Sequence, residues 1–176
     1  MSENHHKPSL KVSVLNEKIT PDNYGDPKQY HDHLLEQYKL YAATAESISA
    51  RRGLSNTFFL TLHTLIITAI GTFYENGYHP EPKGIVILPL IAFLTLCWAW
   101  WRLNTSYKQL NNAKFRVIDA FEQQLPAHPF VSAEWKMLGE GKDPSLYREL
   151  SDVENWIPAI FAGLYLLGTI NVLYYS

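Results

Sequence analysis

The sequence predicts an all-α integral membrane protein with three transmembrane helices and a helical cytoplasmic region formed by extensions of the first and second spans. Three observations carry this. Three uncharged apolar blocks have about the length that a bilayer core requires. The polar stretches beside two of them keep a helical period. Lys and Arg fall almost wholly on one side of the blocks. The mean hydropathy of -0.15 conceals the blocks by averaging them with polar segments, although 47% of the 176 residues are hydrophobic.

Residues 1–27 contain Pro8, Pro21, Gly25 and Pro27 and read as a flexible N-terminal segment, in which Leu10, Val12 and Val14 alternate as one short strand would. No uninterrupted apolar run follows the first charges, so a secretory signal peptide is not expected. Over 28–53, Leu34, Tyr38, Tyr41, Ala45 and Ile48 recur at spacings of three and four, which predicts a cytoplasmic helix running into the first span. That span is 54–73, bounded by Arg51, Arg52 and Glu75. After a connection at 74–83 comes the second span, 84–101, with Pro89 as a kink candidate and Trp98, Trp100 and Trp101 as an aromatic belt. In 102–155 a second stripe follows, Leu103, Tyr107, Leu110, Val117, Phe121 and Leu125, expected to face the first stripe. Beyond Pro126, Ser132 reads as the cap of a short helix, and Asp143-Pro144 as the start of another. The third span is 156–175, with Pro158 read in its first turn.

All but Lys83 of the 15 Lys and Arg residues precede the first span or separate the second from the third. The positive-inside bias therefore predicts a cytoplasmic N-terminus and an external C-terminus. A net charge of -2 gives no field to attract nucleic acid, so no nucleic-acid partner is expected. The lone cysteine, Cys97, excludes an internal disulfide and reads as packing.

On a helical wheel, Thr57, Thr61, Thr64, Thr68 and Thr72 fall within an arc of about 80°. Hydroxyls so placed can line a hydrated pore, or they can bond their own i−4 carbonyls and let another helix approach closely. His63 and Asn56 lie on a neighbouring face, where an intramembrane histidine is either a titrating group or a neutral imidazole bonded across a helix interface. No carboxylate lies in any span to act as a relay partner. His31 and His33 lie two apart on a helix and His5-His6 lack a third ligand, so no metal is expected. Glu134, Glu149, Asp152 and Glu154 read as solvated helix charges. Without a phosphate loop or nucleophile motif, the chain is not expected to be an enzyme and no cofactor or catalytic residue is assigned.

The segments Ser49-Ala50-Arg51-Arg52, Asn56-Thr57-Phe58-Phe59, Trp101-Arg102, Ser106-Tyr107, Leu110-Asn111, Ala113-Lys114-Phe115 and Val117-Ile118 resemble the RipA family of octameric small integral membrane proteins of bacteria. Leu125-Pro126, Glu134-Trp135, Glu154, Pro158 and Phe161 suit the same pattern, while the first 27 residues lie outside it. The layout is also similar to SLATT-type membrane effectors, thought to form pores in defence systems. The resemblance implies a ring-like homo-oligomer, an octamer, in the bacterial inner membrane, and no settled activity; the threonine face and the paired stripes of 34–48 and 103–125 are what favour a channel-like assembly. It supplies no catalytic residues. The alternative is a membrane scaffold or interaction protein in envelope or lipid-related physiology, without conduction. Arg51, Arg52, Arg102, Lys114 and Arg116 cluster near the boundary, where they are candidates to hold lipid headgroups or to meet carboxylates such as Asp119 and Glu122 of another subunit. The expected partners are thus other copies of the chain and membrane lipids.

Overall fold

The computed structural model describes residues 14–16, 18–77, 81–143, 145–147 and 150–174, so most of the candidate strand lies outside the described residues. Among these the chain is helical with no strand. A 3-10 turn at Pro21–Asn23 is followed by α1 (Pro27–Glu75), a 3-10 turn at Lys83–Val86, and α2 (Ile87–Glu122). A wide turn at Pro129–Glu134 then runs into α3 (Trp135–Met137), a 3-10 turn at Gly139–Gly141, and α4 (Leu150–Tyr174). Three helices are long and apolar enough to cross a membrane, within Pro27–Glu75, Lys83–Glu122 and Val153–Tyr174. The fold is therefore the all-α, three-span architecture that the apolar blocks predict.

The start of α1 follows from local chemistry. Pro27 occupies the first helical position, where its missing N–H costs nothing, and the Asp26 side chain accepts from the Lys28 N–H at 2.9 Å. The 49-residue helix spans roughly 70 Å at 1.5 Å per residue, more than twice a hydrocarbon core. Its first half consequently stands outside the membrane. At the other end, the Asn76 N–H bonds back to the Thr72 carbonyl at 3.1 Å and Gly77 takes φ +80°, the left-handed residue that ends many helices.

Helix α2 packs against both α1 and α4. Against α1 it runs antiparallel, in a register visible from the pairs Tyr38/Glu122, Tyr41/Phe121, Asn56/Trp100 and His63/Cys97. Pro89 lies in the first turn of α2, where few helical bonds need its N–H, so its position gives no reason for a mid-span kink. Pro158 departs from the expectation of a first-turn proline. The helix that carries it already begins at Leu150, so Pro158 is interior and fully buried. A proline there cannot donate to the carbonyl four residues back, that of Glu154. The carbonyl is instead approached by the Asn104 side-chain amide of α2 at 3.4 Å. A local defect in α4 thus becomes a contact between helices.

The wide turn corrects the cap proposed at Ser132. Its Ala133 N–H reaches back five residues to the His128 carbonyl at 3.1 Å, and Pro129 rather than Ser132 opens it. Only 11% of each apolar span window is buried within the protomer, leaving large surfaces for lipid or for other copies.

Candidate functional site

The buried centre of the three spans is aromatic and polar. His63 and Trp100 are both 0% exposed. The Trp100 ring stacks on Phe59 (centroids 5.6 Å, 10° between planes) and on His63 (5.6 Å, 15°). Its Nε1–H donates to Asn56 Oδ1 at 2.7 Å. His63 Nδ1 and Tyr165 Oη share a hydrogen bond of 2.7 Å, while His63 Nε2 lies 4.0 Å from Cys97 Sγ. Phe161 and Phe93 close the cluster at 5.1 Å from His63 and 4.9 Å from Tyr165. One residue of α1 therefore touches both other spans. Buried imidazole, indole and phenol groups each find a partner, as a medium without water demands. Trp100 accordingly leaves the expected aromatic belt, whereas Trp98 and Trp101 remain 61% and 44% exposed.

A second polar cluster lies where the spans begin. Arg52 Nε of α1 stands 3.3 Å from Glu154 Oε2 of α4, with side-chain exposures of 15% and 13%. Asn104, 3% exposed, joins the same pair through the Glu154 carbonyl. Glu154 is thus not the solvated helix charge that its position in a polar run suggests.

A third cluster ties the outer ends of α1 and α2. Glu122 is 0% exposed, and its Oε1 accepts from Tyr38 Oη and from the Phe130 N–H, both at 3.1 Å. It holds α1, α2 and the wide turn together inside one protomer, which corrects its reading as a link to another subunit. Burial, then the hydrogen bond to Glu122 and the charge of that carboxylate, push the Tyr38 phenol from its ordinary 10.0 up to about 12. A group whose folded pKa is raised contributes stability that is complete below pH 10 and is lost as pH rises through about 12. Alkaline titration of unfolding should therefore show a loss over this window in the natural protein. In Tyr38→Phe that increment should be missing; identical alkaline profiles for the two would refute the assignment.

The five candidate cations separate. Arg51 and Arg102 are exposed. Lys114 Nζ donates to Thr44 Oγ1 at 2.7 Å and sits 4.3 Å above the Tyr41 ring, so it braces α1 against α2. Arg52 and Arg116 line a cleft of about 610 Å³ beside α2, together with Asp119, Glu134 and Trp135. The candidate span residues also separate. Asn56 and His63 face the protomer interior, whereas Thr57, Thr61, Thr64, Thr68 and Thr72 are all exposed. Four of these hydroxyls donate to the carbonyl four residues back, Thr57 to Gly53 at 3.1 Å, Thr64 to Leu60 at 2.8 Å, and Thr68 and Thr72 to Thr64 and Thr68 at 2.9 Å. Among the described residues no group of His, Cys, Asp or Glu is arranged to hold a metal ion. His33 Nδ1 instead meets Tyr24 Oη at 2.6 Å.

Tyr165, the buried place of Trp100 and the bond from Asn104 to the Glu154 carbonyl were not read from the sequence. Pro158, which leaves the Glu154 carbonyl without its helical donor once the helix starts at Leu150, was the available signal. No curated protein and no solved structure matches the chain. The model of one family matches residues 35–174, a stretch that holds all three spans and all three polar clusters. The chain belongs to the octameric membrane protein family, 8xMP.

Proposed function

We propose that the protein is one subunit of a ring-shaped homo-octamer in the bacterial inner membrane, with its N-terminus and the 102–155 region in the cytoplasm and the threonine face of α1 turned toward neighbouring copies or the central axis. The observation that carries this is the division of polar groups in α1: Asn56 and His63 are used inside the protomer, while the five threonines stay on its surface. Four of the five hydroxyl protons are already satisfied by i−4 carbonyls, so the row tolerates a helix or water equally well. Gly53 and Gly71, at the edge of the row, have open space around them, which permits close approach of another backbone. The extensions of α1 and α2, braced by Glu122 and Lys114, would hold the ring on the cytoplasmic side, and the assembly carries out no catalysis.

Thr64→Cys and Thr68→Cys test the arrangement, since the natural Cys97 is buried. Oxidation in detergent should give cross-linked dimers from these positions, and native mass spectrometry should give one large assembly. A clean monomer would sink the proposal. Conduction is a separate matter, read by ion flux in liposomes, which Thr61→Leu with Thr64→Leu should reduce. If the natural protein passes no ions, the pore is lost and a scaffold role remains. That second reading draws on the apolar groups left open outside the spans, Leu110 at 47% and Met137 at 82% exposed, which offer a partner surface.

A further inference from the structure

The third span carries a polar group that the protomer does not use. Asn171 is exposed toward the outer end of α4, and among the described residues its amide has no hydrogen-bond partner. An unpaired amide facing lipid is costly, and in membranes such side chains bond across to another helix. With Leu164, 49% exposed, and Gly168, Asn171 forms a stripe at spacings of four and three, the repeat of one helix face. A Cβ added at Gly168 would meet nothing within 4 Å, so a second backbone can come close there.

The threonine row of α1 is its chemical complement. Thr57, Thr64, Thr68 and Thr72 have given their hydroxyl protons to carbonyls of their own helix, so what they present outward is oxygen lone pairs. Asn171 brings two N–H donors. The two faces also stand at one depth. Both pairs that set α4 beside α1, Arg52/Glu154 and His63/Tyr165, join residues 102 apart, which puts Asn171 level with the stretch between Thr68 and Thr72 and Leu164 level with Thr61.

Within one protomer these faces do not meet, since all five threonines and Asn171 are exposed. A second copy of the chain is the occupant that membership of an octameric family supplies. Copies of one chain insert with one orientation, so a closed ring of them is cyclic. Each copy of such a ring must offer its two neighbours two different surfaces, matched in depth.

We propose that the subunit contact joins the Leu164–Gly168–Asn171 stripe of α4 in one copy to the threonine row of α1 in the next, with the Asn171 amide donating to the Thr68 or Thr72 hydroxyl oxygen. The contact rests on the homo-oligomeric ring and adds to it the surface that the threonines meet.

The test uses the full chain in detergent. Thr61→Cys with Leu164→Cys puts one thiol on each face and leaves Asn171, Thr68 and Thr72 in place. Oxidation should link each copy to the next and give a ladder of products reaching the full ring, whereas one cysteine per chain can join two chains at most. Asn171→Leu should lower the association constant of each subunit contact about tenfold, read by native mass spectrometry over a dilution series, as expected for one interhelical hydrogen bond lost in lipid. Thr95→Val removes an exposed hydroxyl of α2 that is bonded to the Ile91 carbonyl and should leave assembly unchanged. A double-cysteine variant that stops at dimers while native mass spectrometry still gives the large assembly overturns this contact and leaves the ring standing. So does an Asn171→Leu protein that assembles as the natural one does. A natural protein that is monomeric removes the ring and the contact together. Should Asn171→Leu fail to fold, the cysteine ladder decides alone.

Discussion

Trp100→Ala is expected to destabilise the protein by ~3–5 kcal/mol, the range for removing a large aromatic side chain from a packed site. Trp100 is 0% exposed, lies flat against both Phe59 and His63 of α1, and donates its indole N–H to Asn56. Truncation therefore opens a cavity between α1, α2 and α4, and it also leaves Asn56 Oδ1 without that donor. Where the surroundings are lipid rather than water, helix association rests on packing and interhelical hydrogen bonds rather than on the hydrophobic effect, and Trp100 supplies both. Trp98→Ala, two residues away and 61% exposed, should change stability by no more than about 0.5 kcal/mol. Thermal unfolding in detergent distinguishes them. Equal losses for Trp98→Ala and Trp100→Ala would mean that the stacked cluster does not hold the spans together.

The contrast between these two tryptophans shows where sequence reading stops. Three uncharged blocks of sufficient length were enough to place the spans, because every backbone group in lipid must be paired within a helix. Which face of a span meets protein was not legible by the same means, since leucine is as compatible with lipid as with a neighbouring helix. The α2 seam illustrates this. Within the span an apolar count does not separate Ile91 and Trp98, 56% and 61% exposed, from Cys97 and Trp100, which are buried. The buried line of α2 continues through Asn104, Ile118, Phe121 and Glu122: it takes in Phe121 of the expected stripe, which meets Tyr41, but also the polar Asn104 and Glu122 that hydropathy assigns to the outside. In a membrane seam the polar side chains are the ones that need a protein partner, and the apolar ones do not. The same inversion explains the candidate site. His63 and Asn56 were recognisable as unusual in a span, but their partners Tyr165 and Trp100 lie 102 and 44 residues away, beyond any periodicity. The threonine row was legible because it is a property of one helix alone.

Breaking the Arg52–Glu154 pair should be almost as costly as emptying the aromatic cluster. Both side chains are about 85% buried, at 15% and 13% exposure, and a buried charge deprived of its counter-ion costs ~3–5 kcal/mol. Glu154→Ala is the informative single change, because the Glu154 backbone carbonyl that receives Asn104 is untouched and only the ion pair is lost. Arg52 stands beside the first span, where its charge cannot be withdrawn into apolar surroundings without penalty, although its long stem can swing the guanidinium toward water and recover part of the loss. The double variant Arg52→Met with Glu154→Leu should be more stable than Glu154→Ala, since it replaces two charges by apolar groups of similar length. Unfolding measured for both single variants and the double gives the coupling, expected at ~1–3 kcal/mol for residues in direct contact. A double variant no more stable than the worse single one would show that the pair does not act as a unit.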